Sequence, residues 1–186
     1  MSPEGEPEHA AEPSPDGGDA PFLDDDSVAT SRPAPASKAA RYLATLVDAF
    51  GPLPAMALAA DVPFVDTLVL DASALAALGR GNVRARAHVA RAVGSLTRIV
   101  VPATALRDRA HQRIAESLAD VVAVDPVEAR LAATLLADAP GADPYDAITV
   151  AAATHTDRAA IVTMEKDALE RLVDAAGRPQ LYVFSI

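Results

Sequence analysis

From residue 71 onward acidic residues recur just where apolar runs end or helices begin. Asp71 follows Leu68-Val69-Leu70, Asp108 follows Val100-Val101-Pro102 by one helical turn, Asp143 and Asp146 sit in Asp-Pro-Tyr-Asp, and Glu165 follows Val162-Thr163-Met164. Each has a plain structural use. Asp71 can cap a helix, although Ser73 competes for that role, and Asp108 between Arg107 and Arg109 suits a solvated helix face. Asp143 reads as an N-cap with Pro144 at the first helical position, and Asp146, three residues on, shares its face and favours the positive helix end. Asp167, beside Glu165, can cap the last helix. Gathered in one place, these carboxylates would repel one another, a cost that a divalent cation offsets. The chain has no cysteine and only 4 histidines, none of them paired. Hard oxygen donors of this kind suit Mg²⁺ or Mn²⁺ rather than zinc.

The surrounding pattern says how such acids would be positioned. From residue 66 short apolar runs alternate with helical periodicity. Strands are expected at Thr67–Leu70, Arg98–Val101, Val121–Val124, Ala160–Thr163 and Leu181–Ser185. Helices are expected at Ser73–Leu78, Val83–Val93, Ala103–Leu118, Val127–Ala137, Pro144–Ala153 and Lys166–Ala175, with a break at Gly79-Arg80-Gly81-Asn82. Such alternation predicts an α/β fold with a mainly parallel sheet of about five strands, flanked by helices on both faces. Ligands of these sheets lie at the carboxyl ends of the strands, where Asp71 and Glu165 fall.

Before residue 66 the composition differs. Residues 1–37 hold seven of the 15 prolines and an Asp24-Asp25-Asp26 run, and are expected to be disordered and dispensable. Residues 38–50 carry Tyr42, Leu43, Leu46, Val47 and Phe50 at helical spacing, stopped by Gly51-Pro52, and predict a short amphipathic helix. Residues 51–65 read as a linker with a possible helical turn, so that 38–65 stands apart from a domain at 66–186. Val65 is a candidate translation start for that domain.

Net charge is −10, which alone argues against nucleic acid. Its distribution argues otherwise: the stretch from Arg80 to Arg113 holds eight arginines and a single acid, Asp108. A local excess of this size is phosphate-seeking if the fold puts it on one face. No stretch approaches the ~18 apolar residues that span a bilayer, and the acidic start is unlike a signal peptide. A cytoplasmic protein without membrane attachment is expected.

The runs Leu68-Val69-Leu70-Asp71-Ala72-Ser73-Ala74-Leu75, Val100-Val101-Pro102-Ala103-Thr104-Ala105-Leu106-Arg107-Asp108, Asp146-Ala147-Ile148-Thr149-Val150-Ala151-Ala152-Ala153 and Ile161-Val162-Thr163-Met164-Glu165 resemble, in order and spacing, the four motifs of PIN domains. The resemblance covers essentially all of 66–186, a length similar to the VapC-type toxins of bacterial toxin–antitoxin pairs. It implies a PIN-like, Rossmann-like fold and a metal-dependent endoribonuclease. Asp71, Asp108, Asp146 and Glu165 would then be the acids that hold Mg²⁺ or Mn²⁺, with Ser73 and Thr163 as supporting hydroxyls. RNA would be the substrate, an antitoxin protein a possible partner, and a homodimer the expected assembly. Arg84, Arg86 and Arg91 are the expected RNA-backbone contacts. Two positions depart from the family: its second acid is usually Glu, here Asp108, and its fourth usually Asp, here Glu165. An alternative is therefore a weakened or inactive PIN fold that binds RNA or protein.

Other chemistries fit less well. An aspartyl phosphatase needs Asp-x-Asp after the first strand, and Asp71-Ala72-Ser73 stands there. No Gly-x-x-x-x-Gly-Lys loop and no Gly-x-Ser-x-Gly is present, and His88, His111 and His155 are expected within helices.

Overall fold

The computed structural model describes residues 37–58 and 63–186. Of residues 1–37, expected to be disordered, 1–36 lie outside the described residues, and Ser37 is the N-cap of the helix at 38–50.

Five short strands pair in the order β3-β2-β1-β4-β5: β1 Thr67–Leu70, β2 Arg98–Pro102, β3 Asp120–Val122, β4 Ala159–Thr163 and β5 Leu181–Ser185. Every pairing is parallel, with Leu68 opposite Ile99 on one side and Ala160 on the other. This is the α/β architecture expected from the sequence. The helices are α1 Lys38–Phe50, α2 Ala55–Leu58, α3 Ala72–Gly79, α4 Val83–Gly94, α5 Arg109–Leu118, α6 Pro126–Asp138, α7 Pro144–Ala153 and α8 Lys166–Ala176.

Strand side chains alternate between two cores, which is why β1 and β4 are buried at every position and mostly apolar. Leu68, Leu70, Val101 and Val162 pack on one face with Leu75, Leu78, Val89 and Leu118. Val69, Ile161 and Ala159 pack on the other with Leu135, Val150, Leu169 and Leu172. The order of strands reverses between β1 and β4, so the crevice for a ligand opens at their carboxyl ends.

The helix at 38–50 belongs to the first core rather than to a separate segment. Leu46 is buried there, α1 packs on α4 and α5, and Lys38 Nζ both donates to the Ala119 carbonyl and pairs with Asp120 at 3.4 Å. The connection after α1 is locked from α4. Arg86, 2% exposed, donates to the carbonyls of Phe50 and Gly51. Arg91 donates to the Ala57 carbonyl at 2.6 Å. Gly81, at φ 73°, lies against the Phe50 ring, where a Cβ would collide.

One element departs from expectation in a way that matters for the site. The helix expected from Ala103 to Leu118 is broken: a single 3-10 turn covers Ala103–Ala105, Leu106 leaves it at ψ 79°, and α5 starts only at Arg109. Asp108 is extended, and its Oδ1 accepts from the backbone N–H groups of Ala110 and His111 at 2.7 and 2.8 Å. An Asp side chain offers the helix start a stronger partner than a continuing backbone turn would, and the helix begins there.

Candidate functional site

At the carboxyl ends of β1 and β4 a cavity of about 120 Å³ is lined by Asp71, Asp146 and Glu165 together with Ser73, Thr149 and Asp143. Thr104, Arg107 and Tyr145 complete its wall. Asp71 is the buried floor, 7% exposed, and its Oδ1 accepts from the Ala74 N–H at 2.7 Å. Ser73 ties the two strand ends together. Its Oγ donates to the Asp71 carboxylate, 2.8 and 3.0 Å from the two oxygens, and accepts from the Met164 N–H at 2.8 Å. Thr163, fully buried, accepts from the Glu165 N–H at 2.9 Å and lies 3.4 Å from Ser73 Oγ. The supporting positions Ser73 and Thr163 thus orient the acids on either side of the switch point.

The electrostatics match a collection of like charges. Burial raises the Asp71 carboxyl above its ordinary range and Glu165 adds to the rise, while the Ala74 N–H and the hydroxyls of Thr163 and Ser73 oppose it. Asp146 is pushed up to about 6, first by burial, then by Asp143, Glu165 and Asp71, with Arg107 pulling the other way. A raised carboxyl pKa means that the folded protein prefers the proton, so this group lowers stability as pH rises from its unfolded value toward about 6. Metal competes for the ionised form. Mn²⁺ affinity measured by calorimetry is therefore expected to rise steeply between pH 5 and pH 7, centred on about 6. A flat profile across that window would show that Asp146 does not hold the ion.

No family model, no curated protein and no solved structure matches this chain. Three of the four expected acids, Asp71, Asp146 and Glu165, share the cavity. Asp108 does not line it. Its Oδ1 caps α5, so the structure does not bring this fourth acid to the cavity that the other three line. Asp143, expected only to cap α7, both caps it through the Tyr145 N–H at 2.7 Å and lines the cavity. Its place three residues before Asp146 was the available signal. Arg107 and Tyr145 were not foreseen as a pair, since only the tertiary fold brings them together.

The RNA-contact expectation is corrected in part. Arg86 and Arg91 hold the carbonyls after α1 and in α2, and Arg98 pairs with Asp120 at 3.0 Å. Arg84 is exposed. The cation that lines the cavity is instead Arg107, while Arg80 Nη2 lies 3.6 Å from Met164 Sδ.

A metal is implied by the resemblance, and the donor chemistry fits Mg²⁺ or Mn²⁺. Apart from Arg107, every polar side chain lining the cavity offers oxygen. The acids do not close into a tight cage. Among the described residues only Asp125, Glu128 and His155, beside the amino ends of β1 and β2, bring one ligand atom each within 4.8 Å of one another. That second group is accounted for structurally. Asp125 and Glu128 form the capping box of α6, and buried Glu128 binds His155 Nε2 at 2.8 Å, His155 lying in the turn after α7 rather than in a helix. In the first cavity, water between ion and carboxylate suits Mg²⁺, which keeps several waters when bound.

Among the described residues no helix is long and apolar enough to cross a membrane.

Proposed function

We propose that this chain is a metal-dependent endoribonuclease of PIN type, acting on RNA phosphodiester bonds in the cavity at the switch point. One observation carries the reading: β1, α7 and β4 deliver Asp71, Asp146 and Glu165 to a single cavity, and none of the three has a salt-bridge partner among the described residues. Uncompensated carboxylates in one cavity are a poor device for stability and a good one for holding a divalent cation. The four-motif resemblance supports the same reading. When bound, the cation polarises the phosphoryl oxygen and makes a water nucleophilic near neutral pH. Asp71 and Asp146 hold it, with Glu165 and Asp143 positioned to orient waters or to complete the site. Ser73 fixes both oxygens of Asp71, and Thr163 fixes the backbone that presents Glu165. A toxin role with an antitoxin partner, a homodimeric assembly and a cytoplasmic setting belong to this reading.

The expected result is cleavage of single-stranded RNA that requires Mn²⁺ or Mg²⁺, stops with a chelator and resumes when the ion is restored. The placement of Asp108 outside the cavity favours a second reading, a weakened PIN fold that binds RNA without cutting it. Mn²⁺-induced thermal stabilisation without cleavage supports the second reading, and the absence of both rejects the metal site.

A further inference from the structure

We infer that Arg107, held by Tyr145, is a preoriented phosphate clamp in the cavity wall, gripping the RNA backbone beside the acidic centre. The inference rests on the proposed reading of the cavity as an RNA site. The Arg107 guanidinium carbon lies 3.9 Å from the centre of the Tyr145 ring, and both residues line the cavity. The break after Ala105 produces this. A helix continuing from Ala103 would change where residues 107 and 108 project; with the break, Asp108 caps α5 and Arg107 enters the cavity wall. Tyr145 is fixed in turn, its N–H held by Asp143 at 2.7 Å and its carbonyl accepting from Thr149 Oγ1 at 2.9 Å.

Stacking on a ring uses the face of a guanidinium and leaves its in-plane N–H donors available. No hydrogen bond or salt bridge occupies the Arg107 side chain among the described residues, and no other cation lines this cavity of carboxylates. A carboxylate would reach Arg107 most simply as an ion pair, yet none does. Its fork matches two oxygens of a phosphodiester, and prior orientation removes much of the ordering cost of binding. A nucleic-acid backbone brought to an acidic centre also needs a local positive charge to offset repulsion from Asp143, Asp146 and Glu165.

The test uses the full chain, a fluorescein-labelled oligouridylate with Ca²⁺ replacing the catalytic ion, and Mn²⁺ alone in calorimetry. Arg107→Ala is expected to weaken oligouridylate binding about tenfold and to flatten the log–log salt slope by about 0.7, the loss of one single-strand phosphate contact. Arg107→Lys should recover less than half of that loss, because a point charge neither stacks nor forks. Tyr145→Ala should weaken binding about fivefold, and Tyr145→Phe, which keeps the ring, should bring it back to within about twofold of the natural chain. Mn²⁺ affinity should be equal or tighter in every variant. Unchanged oligouridylate binding in Arg107→Ala overturns the clamp, as does full recovery by Arg107→Lys or a Tyr145→Phe variant as weak as Tyr145→Ala. The two readings fail separately. A natural chain that binds the probe through Arg107 but never cuts RNA rejects the nuclease alone, whereas cleavage with unaltered binding in Arg107→Ala rejects the clamp alone.

Discussion

Asp71→Asn is expected to lower Mn²⁺-dependent RNA cleavage by about 10³-fold or more, the order that several kcal/mol of lost transition-state stabilisation implies. The fold should survive. The amide oxygen can still accept from the Ala74 N–H, as Asp71 Oδ1 does at 2.7 Å, and Asn caps a helix about as well as Asp. Ser73 keeps one of its two acceptors. What disappears is a buried negative charge in a cavity shared with Asp146 and Glu165. Because burial raises the Asp71 pKa, its ionised form is disfavoured in the folded state, so stability from this group falls as pH rises through the raised value. At pH 7 without metal, Asp71→Asn should therefore melt at the same temperature as the natural chain or higher. Single-turnover cleavage with a thermal melt on the same preparation checks both halves. Cleavage within about threefold of the natural chain would remove Asp71 from the metal site. A large fall in melting temperature would make it a structural cap instead.

The second large effect concerns stability. Arg86→Ala should destabilise the protein by about 3 kcal/mol, the size reached when a buried hydrogen-bonded charge is removed and its partners are left unsatisfied. At 2% exposure Arg86 has no access to RNA. Its guanidinium instead holds the Phe50 and Gly51 carbonyls and lies 5.8 Å from the centre of the Phe50 ring, pinning the end of α1 against α4. For a chain of this length the loss corresponds to roughly 6–12 °C in melting temperature. Arg84→Ala, two residues away on the solvent side, should change stability by no more than about 0.5 kcal/mol. Thermal or urea melts of the two variants make the comparison, and equal melts would mean that α1 docks without Arg86.

The contrast between Arg84 and Arg86 shows what a charge count misses. Eight arginines between residues 80 and 113 suggested one phosphate-seeking surface. The fold divides them among unlike tasks: Arg86 and Arg91 bind backbone carbonyls, Arg98 pairs with Asp120, and Arg107 stacks at the cavity. A guanidinium on a long stem serves burial, pairing or solvent equally well, and only its neighbours decide which.

The sequence by itself determined the sheet and three of its acids. Strand runs such as Leu68-Val69-Leu70 and Ala160-Ile161-Val162 are apolar at successive positions because both faces are covered, and this local signal required no knowledge of partners. Parallel strands place their ends at a common edge, so Asp71 and Glu165 follow from chain order alone, and Asp146 from the Asp-Pro start of α7. Tertiary structure decided the rest. Whether residues 103 to 118 form one helix turns on a competition between backbone continuation and the Asp108 side chain, and an N-cap side chain contributes only about 1 kcal/mol, too little for periodicity to resolve. That small contribution takes Asp108 out of the site and puts Arg107 into it. The docking of α1 is likewise invisible in residues 38–50. Their apolar face shows only that they must pack somewhere, while the partner that receives them, with Arg86 at the junction, lies 35 residues away along the chain.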